Sequence, residues 1–149
     1  MSQGNDDTNN GFLRAFRLSH DAIIPTRTTR GAAGFDLYAA HGALIRPGDQ
    51  ARIRTDLVIE LPRNCYGRIA DRSSMALQQL HVTGRVIDND FRGNITILLQ
   101  NNSGTNYIIR KCDRVAQLIC ERIYTPTVIE AMYYTITERS NEGFGSSGR

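Results

Sequence analysis

From Ala51 to Leu61 the chain alternates with a period of two. Ala51, Ile53, Thr55, Leu57, Ile59 and Leu61 share one parity, while Arg52, Arg54, Asp56 and Glu60 share the other. Successive side chains of a strand point to opposite faces, so this pattern predicts a single half-buried strand, closed by Pro62. Phe12 to Leu18 alternates more weakly. Asn94 to Asn101 and Arg114 to Ile123 carry apolar residues at both parities, as strands covered on both faces do, whether central in a sheet or at a subunit contact. Val128 to Ile136, rich in β-branched and aromatic residues, reads as a last strand. Only Ser73 to Leu80 looks helical, with Ser73 or Ser74 placed to cap a turn containing Met75, Ala76 and Leu77.

Turn-forming clusters separate these runs at 46–49, 62–64, 92–94 and 102–104. Short strands at such spacing predict an all-β sandwich, jelly roll or barrel. A chain of 149 residues suits one hydrophobic core that needs no disulfide or metal staple. Residues 1–11 read as a disordered polar tail and 12–137 as the folded domain. From 138 the composition turns to Glu, Arg, Ser, Asn and Gly with a lone Phe144, which predicts a flexible C-terminal arm.

Charge and cysteine content narrow the possible roles. The formal net charge of +3 is too small to indicate nucleic-acid binding, and none is expected. Lys111 is the only lysine, so nearly all positive charge is arginine, whose planar fork suits phosphate. No apolar run approaches the roughly 18 residues needed to span a bilayer, and the N-terminus lacks a signal-peptide core. Cys65, Cys112 and Cys120 are odd in number and have no metal-binding spacing. They predict inert thiols in a reducing compartment, hence an intracellular protein, cytoplasmic or nuclear. The three histidines are scattered and suggest no triad.

Several residues nonetheless carry possible chemistry. Asp88 and Asp90, two apart, share a face in an extended strand with Phe91 opposite. That is a general base beside a flat apolar ring, or alternatively a turn with solvated carboxylates. Arg72, Ser73 and Ser74 stand at the expected helix start, where free N–H groups, hydroxyls and a guanidinium suit an anion; a plain helix cap explains them equally. Asp36 lies in an apolar stretch and needs a partner. Gln117 interrupts an otherwise apolar strand.

Five segments resemble, in order, the motifs of the trimeric dUTPase family: residues 33–37, 67–76, 86–93, 113–118 and 139–148. The resemblance covers nearly everything from Gly11 onward. It implies a distorted jelly-roll or β-barrel fold of the dUTPase type with one short helix and a C-terminal arm. It also implies hydrolysis of dUTP to dUMP and pyrophosphate with Mg²⁺, in a homotrimer whose active sites are shared between subunits. By the match, Asp88 holds the deoxyribose 3′-hydroxyl and orients or deprotonates the attacking water, and Phe91 packs under the sugar. The hairpin containing Arg85, Val86 and Ile87 reads the uracil edge with its backbone. Arg72, Ser73 and Ser74 bind phosphates, Gln117 faces phosphate and water, and Asp36 contacts Mg²⁺ through water. In the arm, Phe144 stacks on uracil while Arg139, Gly145, Ser146 and Ser147 grip the γ-phosphate. Three subunits contribute: one gives Asp36, Arg72 and Gln117, a second Asp88 and its hairpin, a third the arm.

Some positions depart from the commonest motif. Asp71 replaces a proline, Ser74 a glycine, Phe91 a tyrosine, and Cys112 the glycine before Asp113. Arg85 stands where a glycine opens the uracil hairpin, and arginine resists the positive φ that glycine allows. Other roles open to the sequence are a catalytically silent trimer acting as an interaction module, a dCTP deaminase-type relative, and an arginine-driven nucleic-acid-binding module.

Overall fold

The computed structural model describes residues 11–143. Along the described chain run β1 (Arg14–Arg17), β2 (Phe35–Tyr38), β3 (Ala43–Ile45), β4 (Gln50–Arg54), β5 (Leu57–Glu60), β6 (Cys65–Ala70), α1 (Ser73–Leu77), β7 (Leu80–Thr83), β8 (Val86–Ile87), β9 (Thr96–Asn101), β10 (Tyr107–Ile109) and β11 (Arg114–Arg122). All strand pairings are antiparallel. A four-stranded sheet has the order β2-β11-β6-β8 and a three-stranded sheet β4-β9-β7, with two-stranded ribbons β1-β5 and β10-β3. This is an all-β, jelly-roll-like arrangement; the hydrogen-bond ladders do not close into a barrel.

One core serves both large sheets. Leu37, Ile69 and Leu118 from the four-stranded sheet meet Ile53, Val82, Ile97 and Leu99 from the three-stranded one. Fully burying each such aliphatic side chain contributes about 1.5–3 kcal/mol. Among the described residues the two fully buried polar side chains, Thr55 and Asn101, are satisfied. The Thr55 hydroxyl donates to the Ile95 carbonyl (2.7 Å), and the Asn101 amide donates to the carbonyls of Ile45 (2.8 Å) and Thr105 (2.9 Å), tying the turn after β9 to β3.

The single strand expected over 51–61 is two strands in different sheets. The parity survives, with Ile53, Thr55, Leu57, Ile59 and Leu61 all buried, but Asp56 takes a left-handed φ of 55° and turns the chain from β4's partner β9 to β5's partner β1. Hydrogen bonds from Asn94 (2.9 Å) and Ser19 (2.8 Å) hold the Asp56 carboxylate and keep its pKa below the ordinary 3.8. The last strand expected over 128–136 does not form. Val128, Met132 and Tyr134 are 91%, 98% and 88% exposed, and the segment pairs with none of the open sheet edges. The helix is a single turn. Arg72, not a serine, is at its N-cap, and no side chain caps it; Ser73 and Ser74 lie within it.

Candidate functional site

The sequence-predicted residues fall into two groups at opposite ends of β6. Beyond its C-terminal end, the Arg72 guanidinium donates through Nε to Asp36 Oδ1 (3.2 Å) and through Nη1 to the Arg114 carbonyl (3.2 Å) and Ser74 Oγ (3.4 Å). Asp36, only 8% exposed on β2, also accepts from the Thr28 hydroxyl (3.2 Å), and Arg114 Nε stands 4.0 Å from its other oxygen. Two guanidiniums therefore share one carboxylate. They line a polar cavity of about 310 Å³ together with Ser74, Gln78, Tyr107, Cys112 and Asp113. Aromatic rings steady the cations. Arg114 lies over Tyr38 at 5.8 Å, and Arg27 over Phe35 at 5.3 Å. Such a cavity suits a polyanion bound by charge-assisted hydrogen bonds. With α1 only five residues long, the capacity to hold an anion lies in guanidiniums and hydroxyls and not in a helix dipole.

Gln117 belongs to this group. It pairs with Asp36 on one side and Ala70 on the other, and its Nε2 donates to the Asp71 carbonyl (2.8 Å). Gly34 makes room for it, since a Cβ there would stand 2.5 Å from Gln117 Oε1. Arg114 is a site residue that sequence reasoning missed. A turn fixed by the Asp113 carboxylate accepting the Arg110 N–H (2.8 Å) delivers it, and Cys112 in that turn has a φ of 74°.

At the other end of β6 lies the second group. Asp88 and Asp90 do not share the face of an extended strand. They are exposed in a turn closed by the Phe91 N–H donating to the Asp88 carbonyl (3.1 Å). Asn89 pins this turn, donating to the carbonyls of Cys65 (2.8 Å) and Pro62 (2.9 Å), an anchor with no signature in the motif. Phe91, 42% exposed, lays its ring on Gly93, where a Cβ would come within 2.5 Å of the ring. In the adjoining hairpin the left-handed residue is Gly84 (φ 62°). Arg85 is not among the residues with positive φ; its Nε donates to the Val82 carbonyl (2.8 Å), and its own carbonyl accepts from the Ile69 N–H (2.9 Å). Val86 is exposed and Ile87 half-buried. With Asn89 at Cys65 and Arg72 two residues past Ala70, about 20 Å of strand separates Asp88 from Arg72. One chain does not bring base and anion pocket together.

Residues 20–148 match the dUTPase family model. The chain belongs to the dUTPase family. It is 43% identical over 139 residues to the deoxyuridine 5′-triphosphate nucleotidohydrolase of vaccinia virus (strain Copenhagen), covering 93% of this chain and 95% of that one. It is 46% identical over 138 residues to the human mitochondrial enzyme of the same name, covering 92% of this chain and 55% of the human one. Among solved structures, the Staphylococcus bacteriophage 80alpha dUTPase with dUPNHPP superposes with a TM-score of 0.87 at 26% identity, over 94% of this chain and all of that one. Of the residues that the resemblance singled out, Asp36, Arg72, Ser74 and Gln117 stand together here, and Asp88 and Phe91 stand in the turn at the other end of β6. Ser73 is exposed on the helical turn. Arg139 is in a turn where its Nε donates to the Glu142 carbonyl (2.6 Å), and Phe144, Gly145, Ser146 and Ser147 lie outside the described residues.

Proposed function

We propose that this dUTPase-family chain hydrolyses dUTP to dUMP and pyrophosphate in sites shared between subunits of a homotrimer. The observation that carries the reading is the arginine-lined cavity that Arg72 and Arg114 build beside Asp36 at one end of β6, with the exposed Asp88 carboxylate in the turn before Phe91 at the other. The triphosphate lies in the cavity of one chain. Asp88 of a second copy holds the deoxyribose and orients a water, which attacks the α-phosphorus; pyrophosphate leaves as Arg72 stabilises its charge. Val86 and Ile87 present the hairpin backbone to uracil, and Phe91 lies under the sugar. A third chain contributes Arg139 together with Phe144, Gly145, Ser146 and Ser147.

Association of copies is supported by the exposed apolar run of Tyr124, Val128, Ile129, Met132, Tyr133 and Ile136, more than a monomer's surface ordinarily carries in one place. Among the described residues no group of three His, Cys, Asp or Glu converges to hold a metal unaided. Asp36, shared with two arginines, suits an ion that keeps its waters and takes its other ligands from phosphate, as Mg²⁺ does. Bound that way, Mg²⁺ would supply further neutralisation of phosphate charge. Among the described residues no helix is long and apolar enough to cross a membrane, and the three free cysteines suit a reducing compartment inside the cell.

The test is incubation of purified protein and Mg²⁺ with each deoxynucleoside triphosphate in turn. Pyrophosphate released from dUTP alone is the expected result. Ammonia from dCTP would replace this reading with deamination, and no product from any nucleotide would leave a silent interaction module.

A further inference from the structure

The turn that carries Asp88 is tied to the rest of the chain by a residue to which the family resemblance gives no role. Asn89 Nδ2 donates to the Pro62 carbonyl at 2.9 Å and to the Cys65 carbonyl at 2.8 Å. Asparagine in a turn ordinarily bonds the backbone of its own turn. Here both amide hydrogens go to another corner, the one between β5 and β6. That corner is a firm anchor. Asn64 turns it with a left-handed φ of 58°, the Asn64 carbonyl takes the Ile123 N–H at 2.9 Å, and Cys65 pairs with Arg122 across β6 and β11. Arg92 braces the turn as well, donating to the carbonyls of Asn89 (2.9 Å) and Phe91 (3.1 Å) and standing 3.9 Å from Glu60 on β5.

Asp88 thus stands between two fastenings. Before it runs β8, only Val86 and Ile87, paired with Arg68 and Gly67 of β6. After it comes Asn89. A two-residue ladder fixes where the strand ends but leaves the following peptide free to rotate, and the Asn89 amide removes that freedom. Asn89 is exposed, so water takes its place at the carbonyls when it is lost. The fold is then spared, while the placement of the carboxylate is not. A base must keep its water within hydrogen-bond reach and on the line of attack, and a displacement of about 1 Å can cost about a hundredfold in rate.

We propose that Asn89 is a positioning residue whose amide, by gripping the Pro62 and Cys65 carbonyls, holds the Asp88 carboxylate where it aims the attacking water. The proposal rests on the dUTP reading above. Both parts that Asn89 joins lie in one chain, at the Asp88 end of β6, so the clamp is the same whichever copy supplies the phosphate pocket. Asn89 acts through Asp88 and not on the substrate.

The experiment is a double-mutant cycle on the full chain, read by pyrophosphate release from dUTP with Mg²⁺, with thermal melts alongside. Asn89→Ala is expected to lower kcat by about ten- to a hundredfold while KM stays within about threefold of wild type. Asn89→Asp keeps the shape without the amide donor and should lose as much. Added to Asp88→Asn, Asn89→Ala should cost nothing further, because residues that act as a unit are not additive; a merely structural residue would cost the same factor in both backgrounds. A wild-type chain that releases no pyrophosphate from dUTP overturns this proposal and the dUTP reading together. With an active wild type, an Asn89→Ala kcat within about twofold of it, or an equal loss in both backgrounds, overturns this proposal alone. Should Asn89→Ala fail to fold, Asn89→Asp is judged by the same measures. Failure of both to fold overturns the proposal as well, since the residue would then hold the fold rather than the base.

Discussion

The separation of Asp88 from Arg72 along β6 makes subunit sharing testable by mixing two inactive chains. Asp88→Asn removes the base and should lower turnover by about 10²–10⁴. Arg72→Ala removes a donor to the phosphates and should cost about 10²–10³. It leaves Asp36 with Thr28 and Arg114, so the fold is expected to persist. If base and pocket come from different subunits, an equal mixture denatured and refolded together regenerates intact sites. A site is intact when its pocket comes from an Asp88→Asn chain and its base from an Arg72→Ala chain, one half times one half, or about a quarter of all sites in a symmetric ring. Pyrophosphate release from dUTP should therefore recover to about a quarter of the wild-type rate. Recovery no greater than the sum of the two variants refutes the reasoning, because it would mean that each chain closes across the roughly 20 Å by itself.

Other consequences are as concrete. Gly34→Ala places a Cβ 2.5 Å from Gln117 Oε1 and forces that side chain to move, so kcat for dUTP should fall about tenfold, as when an oriented polar group is displaced, with the melting temperature nearly unchanged. Cys112→Gly removes a side chain from a left-handed residue, which costs about 1–2 kcal/mol for a non-glycine, and returns about 0.5–1 kcal/mol of it as backbone entropy; differential scanning calorimetry should show a melting point raised by about 2 °C. Asp56 and Asp71 both have pKa values below the ordinary 3.8. For Asp56 the bonds from Asn94 and Ser19 prevail; for Asp71 burial pushes upward, but the bonds from His81 and the Val82 N–H prevail. Each group binds fewer protons folded than unfolded, so its stabilisation is complete above the unfolded pKa and is lost as pH falls through the lower folded value. Urea midpoints should drop below about pH 4, and Asp56→Asn, weaker at neutrality, should show a shallower drop.

How much of this could be read from the chain depends on the range of the forces involved. The parity from Ala51 to Leu61 was visible because burial follows side-chain direction, and it held through a break that only Asp56's tertiary bonds to Ser19 and Asn94 explain. Asp36 and Gln117 stood out as candidates because polar side chains interrupt apolar stretches, and Arg72 because it stands at the expected helix start. Arg114 and Asn89 were missed because nothing local distinguishes a surface arginine or a turn asparagine until the partners, the Asp36 carboxylate and the Cys65 carbonyl, arrive from distant segments. Residues 128–136 show the opposite failure. Their β propensity was read as a last strand, but propensity supplies no partner, and the segment stays irregular and exposed. On the shared-site proposal the two observations belong together: an apolar run without a partner strand and a base without a pocket are both what a chain would show if copies of itself completed its sites. Truncation after residue 123 should accordingly abolish assembly in sedimentation while leaving the strand signal in circular dichroism; a truncated chain that still sediments with the wild type would separate the apolar run from assembly.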